Sequence, residues 1–192
     1  MESIFVGFWR IVVLLFICEL GQISMPDPQH PSCVPEEVLL QDCQITRTRA
    51  GGPGGQHRNK VESAIVITHN SGVIGQASER RSQHENRSIA VFRLRVNLAI
   101  AVRTVRNNEK IGEIWTSHCR NNRIAIRATH PNFPCILALA MDVIAAENYQ
   151  LADAAKKLGC STSQLIKLLK IDFSAFQSVN ENRKKLGFSA LK

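Results

Sequence analysis

Nowhere in these 192 residues are two of the six cysteines spaced as a CxxC pair. Cys18, Cys33, Cys43, Cys119, Cys135 and Cys160 are scattered, and so are the six histidines. The chain therefore lacks the paired ligands of a structural zinc site, so no metal is expected and reduced thiols are the default. Also missing is an apolar run of about 20 residues, the length that spans a bilayer. Phe5 to Leu20 comes nearest, but it is short and carries Arg10 and Glu19. Read as an export signal, it has Glu2 in its leading region and no small-residue cleavage site. The preferred reading starts translation at Met25, where a polar, proline-rich arm begins, with a membrane or export signal as the alternative. A cytoplasmic protein with no stable membrane partner is expected. Acidic residues are scarce in one stretch only. Residues 45–106 hold Glu62, Glu79 and Glu85 against ten arginines and Lys60, while acid and base cancel elsewhere, so the whole excess of +8 lies there. Most charge-rich faces are merely solvated. Concentrated around a glycine-rich loop, this one points to nucleic-acid phosphate.

What is present is organised along the chain. An apolar content of 44% is enough for a globular core. Pro35 to Leu40 reads as one helical turn, and Cys43 to Arg49 as a strand. Val61 to His69, rich in Val, Ile and Thr, reads as a second strand. Asn70-Ser71-Gly72 is turn chemistry, which makes Val73 to Ala77 the return strand of a hairpin. Ser82-Gln83-His84-Glu85 reads as a capping box opening a helix to about Arg106. Ile89, Phe92, Val96 and Ala99 recur at helical spacing, so this stripe is expected to pack on the sheet. Arg87, Arg95, Arg103 and Arg106 are expected to project elsewhere. Ile111–Trp115 and Arg123–Ala128 read either as short extended pieces or as linker.

The last sixty residues read as helical: Cys135 to Glu147, Leu151 to Leu158, Ser163 to Lys170 and Phe173 to Leu186. Ala155, Gly159 and Leu165 sit at helix-turn-helix spacing, with Ser161 or Thr162 as the cap. Gln164, Lys167 and Lys170 would then lie on the presented helix, unless the unit is a plain helical hairpin. The fold class expected is α+β: a small mixed sheet with one long packed helix, then a small all-helical, helix-turn-helix-like C-terminal unit. The boundaries read as an extension over 1–34, a first domain over 35–106, a linker over 107–132 and a helical domain over 133–192.

One segment carries most of the functional information: Gly51-Gly52-Pro53-Gly54-Gly55-Gln56, then His57-Arg58-Asn59-Lys60. Four glycines and a proline suit neither helix nor sheet interior. Glycine serves where backbone takes φ > 0 or presses against a ligand. A glutamine at the tip, among arginines and a lysine, suggests a loop presented to RNA.

Arg49 to Ile65 resembles the catalytic loop and following strand of the class I peptide-chain release factors. Glu79-Arg80-Arg81-Ser82-Gln83-His84-Glu85-Asn86-Arg87 is similar to the second signature of that domain, and together the two cover about residues 43–106. The resemblance implies ester hydrolysis of peptidyl-tRNA on the large ribosomal subunit, with no cofactor. It implies Gly54, Gly55 and Gln56 as the catalytic residues, with the Gln56 main-chain N–H as the donor. Gln56 would also be the target of a glutamine methyltransferase. Arg49, His57, Arg58, Lys60, Arg80, Arg81 and Arg87 would contact RNA, joined by Lys167 and Lys170 of the helical unit. Only fifty residues precede Gly51, so a stop-codon-reading domain is not expected ahead of the loop. Codon-independent rescue of stalled ribosomes by a monomer is therefore expected. The short rescue hydrolases with this loop end in a strongly basic tail, whereas the last sixty residues here read as a folded helical unit of modest charge. The competing reading is a non-catalytic RNA- or DNA-binding protein that uses the helix-turn-helix.

Overall fold

The computed structural model describes residues 29–48, 63–104 and 112–192. A short helix α1 (Glu36–Gln41) leads into strand β1 (Cys43–Thr48). Strands β2 (Ala64–His69) and β3 (Ile74–Ala77) complete an antiparallel sheet of order β1-β2-β3. The β2–β3 turn closes on Gly72, whose φ of 81° suits a glycine. His69 Nδ1 accepts the Ser71 N–H there (3.1 Å), a structural role.

Helix α2 (Gln83–Ala101) lies across this sheet. Ser82 caps it, its Oγ accepting the Glu85 N–H at 3.4 Å, as the sequence predicts. Two details differ from expectation. First, the stripe that meets the sheet is Ala90, Val91, Leu94 and Leu98, packed on Ile65, Ile67 and Ala77 with Ile89 at its edge. Phe92, Val96 and Ala99 face the other way and join a second core. A helix apolar on two sides is buried between two layers, and periodicity alone does not say which neighbour each side meets. Second, α2 stops at Ala101 rather than near Arg106. The Asp142 carboxylate, 38 residues beyond Thr104, takes the Thr104 N–H (3.2 Å) and hydroxyl (2.5 Å) and pulls the chain away. Arg103 pairs with the same carboxylate at 3.5 Å and also donates to the Ala99 carbonyl. Burial lowers the pKa of its guanidinium, against the pull of Asp142.

Two expected outward arginines are thus structural. Arg95 is the other, its guanidinium donating to the Ser32 and Val34 carbonyls at 2.9 and 2.7 Å. Arg106 lies outside the described residues. Beside Arg95, His30 is fully buried: its Nδ1 accepts from the Ser32 N–H, which leaves Nε2 to donate to the Val102 carbonyl at 3.2 Å.

The stretch expected as linker carries elements from Gly112 on. Helix α3 (Glu113–His118) stands where extended chain was one reading of Ile111–Trp115. It forms because Trp115 is buried, its indole N–H donating to the Leu158 carbonyl at 2.7 Å. A two-stranded antiparallel ribbon follows, β4 (Cys119–Arg120) and β5 (Arg123–Ile124). Its turn is Asn121-Asn122, both at positive φ (49° and 59°), the hairpin geometry in which Asn is favoured.

Helices α4 (Phe133–Ala146), α5 (Leu151–Lys157), α6 (Thr162–Ile171) and α7 (Phe173–Lys185) close the chain. Gly159 takes φ 63° between α5 and α6, and Ser161 is the cap of α6. Ala155 and Leu165 are buried, as the helix-turn-helix spacing predicts. Almost all of α4 is buried, in a core that also takes Val96 and Ala99 of α2, so α2 serves both cores. A disulfide joins Cys33 to Cys135 at the start of α4, which corrects the expectation of six reduced thiols.

Candidate functional site

Every element around the glycine loop follows from the sheet. The chain leaves β1 at Thr48 and returns through Ser63 to β2, and Thr48 pairs with Ala64 in register. The two feet of the loop therefore stand side by side at one end of the sheet. Arg49, Gly54, Gly55, Gln56, His57, Arg58 and Lys60 themselves lie outside the described residues.

Asn86 of the second signature reaches the loop's returning foot. Asn86, in the first turn of α2, is fully buried. Its Nδ2 donates to the Ser63 carbonyl at 2.6 Å and to the Arg80 carbonyl at 2.8 Å, while its Oδ1 accepts the Arg80 N–H at 2.9 Å. One amide thus fastens the Ser78–Ser82 turn to the base of the loop, with both its ends used. Sequence alone gives Asn86 no role of its own within the second signature. A buried-type partner signal was available, since Asn is a poor helix former and needs a local reason to sit inside one.

Arg80, Arg81 and Arg87 all lie at the exposed start of α2, so the structure brings these three together around the fastened turn. Arg80 approaches Glu85 at 4.0 Å, an exposed pair worth little. Glu79 is tied up differently: its carboxylate meets Arg93 at 2.5 Å, and that hydrogen bond holds its pKa below the ordinary value. Arg93 also donates to the Gln76 carbonyl, so the turn is braced to β3. With Glu79 neutralised by Arg93, the local field near Arg80, Arg81 and Arg87 is positive.

The remaining predicted residues stand on another element. Lys167 and Lys170 are exposed on α6, and Lys170 lies over the Phe176 ring at 5.4 Å. Gln164 is half-buried instead of presented; its Oε1 accepts the Ile124 N–H at 3.4 Å. Among the described residues no cluster of three or more His, Cys, Asp or Glu is placed to hold a metal ion. No described helix is long and apolar enough to cross a membrane.

Comparison with known proteins bears on this arrangement. The RF-1 domain family model matches residues 34–131. This is half of the chain, and it takes in both signatures, the sheet, α2 and the β4–β5 ribbon. The chain belongs to the RF-1 domain family. Peptide chain release factor 1 of Caldicellulosiruptor saccharolyticus is 48% identical over 63 residues, 32% of this chain and 18% of that protein. Peptide chain release factor 2 of Sulfurovum is 43% identical over 75 residues, 38% of this chain and 21% of that protein. The chloroplastic peptide chain release factor PrfB1 of Arabidopsis thaliana is 44% identical over 96 residues, 47% of this chain and 21% of that protein. The chain spans about a fifth of the length of these curated relatives. The α+β class predicted from sequence is the one observed: the RF-1 domain, then a helical unit.

Proposed function

We propose that this chain hydrolyses the ester joining a peptide to the terminal ribose of transfer RNA on the ribosome, without reading a codon. The observation that carries the reading is the position of the Gly-Gly-Gln run. It connects two paired strands whose returning foot is fastened by Asn86 to a turn rich in exposed arginine. Water attacks the ester carbonyl, the bond from carbonyl carbon to ribose oxygen breaks, and a proton from the water ends on that ribose oxygen, which departs as a hydroxyl. Negative charge gathers on the carbonyl oxygen in between. The Gln56 main-chain N–H stabilises that oxygen, a contribution of about 2.7–4 kcal/mol for one preorganised donor. Gly54 and Gly55 permit the close approach that a Cβ forbids. The Gln56 side chain restricts entry to water and is the group a glutamine methyltransferase would modify.

Arg49, His57, Arg58, Lys60, Arg80, Arg81 and Arg87 neutralise phosphates of the large-subunit RNA. Lys167 and Lys170 extend that footing on the helical unit. In this reading the hydrolase domain is 35–106, the helical domain is 133–192, and the protein acts as a cytoplasmic monomer. The test is release of labelled peptide from ribosomes stalled with and without a codon in the decoding site. Release from the empty site, lost in a Gly55→Ala variant, is expected. No release on either ribosome overturns the hydrolase, and release only with a stop codon overturns the rescue role. A non-catalytic nucleic-acid binder would keep its partner affinity unchanged in Gln56→Ala and release nothing.

A further inference from the structure

The β4–β5 ribbon holds a charge arrangement that folding alone does not explain. Arg120 and Arg123 are directly opposite each other in the ladder, so their side chains share one face. Like charges so placed repel, and here they flank a turn that already holds two asparagines at positive φ. The other face is apolar. Cys119, Ile124 and Ile126 pack on the helical core, while Arg123, Ala125 and Arg127 alternate with them and are exposed. Three arginines therefore line the outward side of the ribbon and of the chain that follows β5.

Among the described residues none of the three forms an ion pair or a side-chain hydrogen bond. The ribbon is also fixed in place. The Asn122 carbonyl accepts the Ser161 N–H (3.4 Å), and Gln164 on α6 holds Ile124. Lys167, one turn beyond Gln164, is exposed and equally without an acidic partner among the described residues.

We propose that Arg120, Arg123 and Arg127 form a second RNA-binding surface that takes the phosphodiester backbone of a base-paired RNA stem. Guanidinium forks suit phosphate oxygens, and phosphate between two opposed arginines removes the repulsion that the hairpin otherwise carries. A rigid ribbon braced on α6 loses little freedom on binding. The site is remote in sequence from the glycine loop and needs no catalysis. It rests on the proposed ribosomal role only for the choice of RNA over DNA.

The test uses the full chain and a fluorescein-labelled RNA stem-loop, followed by anisotropy across about 50–200 mM salt. In the triple variant Arg120→Gln/Arg123→Gln/Arg127→Gln, affinity is expected to fall about tenfold or more, and the slope of log K against log salt to become shallower by about 2–3. The triple Arg→Lys variant keeps the slope, because the charge count is unchanged. Lys184→Gln/Lys185→Gln/Lys192→Gln removes as many charges elsewhere and is expected to leave binding nearly unchanged. Circular dichroism confirms that these exposed substitutions leave the fold intact. A triple Gln variant with wild-type affinity and slope overturns the proposal, as does an equal loss in the lysine control. A DNA duplex bound as tightly as the RNA stem overturns the choice of RNA. A chain that binds RNA through the ribbon but releases no peptide sinks the hydrolase reading and leaves this one standing.

Discussion

Asn86 shows how much a single buried amide can organise. It satisfies the Ser63 carbonyl and both backbone groups of Arg80. Replacing it with Ala strands three backbone groups, each costing on the order of 1–3 kcal/mol if it stays buried. Partial rescue by water brings the expected loss to about 2–4 kcal/mol, read from urea denaturation. An unchanged midpoint would show that the loop base is held by something else. Cys160 makes a different kind of test. Burial first, then the neighbouring Cys119, pushes its thiol up to about 11 from the usual 9.0. The neutral thiol is the folded form, so its contribution to stability is complete below pH 9 and is lost as pH rises towards 11. At pH 8 Cys160 should alkylate far more slowly in the native chain than after unfolding, as followed by mass spectrometry. Equal rates in the two states contradict this environment.

Between elements, β3 packs closely against α2 at Gly75. A Cβ on Gly75 would stand 2.3 Å from the Ala90 carbonyl oxygen and 2.5 Å from the Leu94 nitrogen. Both are helix backbone and neither can swing aside. Gly75→Ala is expected to cost about 1–3 kcal/mol in thermal or urea unfolding, and a neutral result would mean that the helix sits further from the sheet. Most elements were legible in the sequence. β2 carried its β-branched run, Ser82 its cap, and Gly159 its left-handed turn. What was not legible has long-range causes. Helix α3 is only six residues long and is held by Trp115 reaching the Leu158 carbonyl. The end of α2 depends on Asp142, and the partition of its two apolar sides depends on α4, which local spacing cannot report. At the site, composition exposed the glycine loop and the arginine cluster. The Asn86 fastening was hidden because its partners are backbone atoms, which leave no side-chain pattern.

For the whole molecule, α2 is the shared wall of two cores, one closed by the sheet and one by α4. Removing residues 133–192 would strip the cover from Val96 and Ala99, so deletion is not a clean way to ask what the helical unit binds. The Cys33–Cys135 disulfide ties the segment before α1 to α4 across a separation of 102 residues. Constraining so long a loop contributes about 2–4 kcal/mol. Four titratable thiols, not six, are therefore expected in the chain unfolded without reductant, and a dithiol should lower its unfolding midpoint. Six thiols would show that the pair is reduced. The central claim, that the Gln56 amide serves the ester, is tested most directly by a structure of the chain trapped on a stalled ribosome carrying a non-hydrolysable peptidyl-tRNA. The expected result places the Gln56 N–H about 2.7–3.1 Å from the position of the carbonyl oxygen at the acceptor end. A loop tip lying well away from that end, with the chain still bound, would contradict the hydrolase and leave an RNA-binding protein.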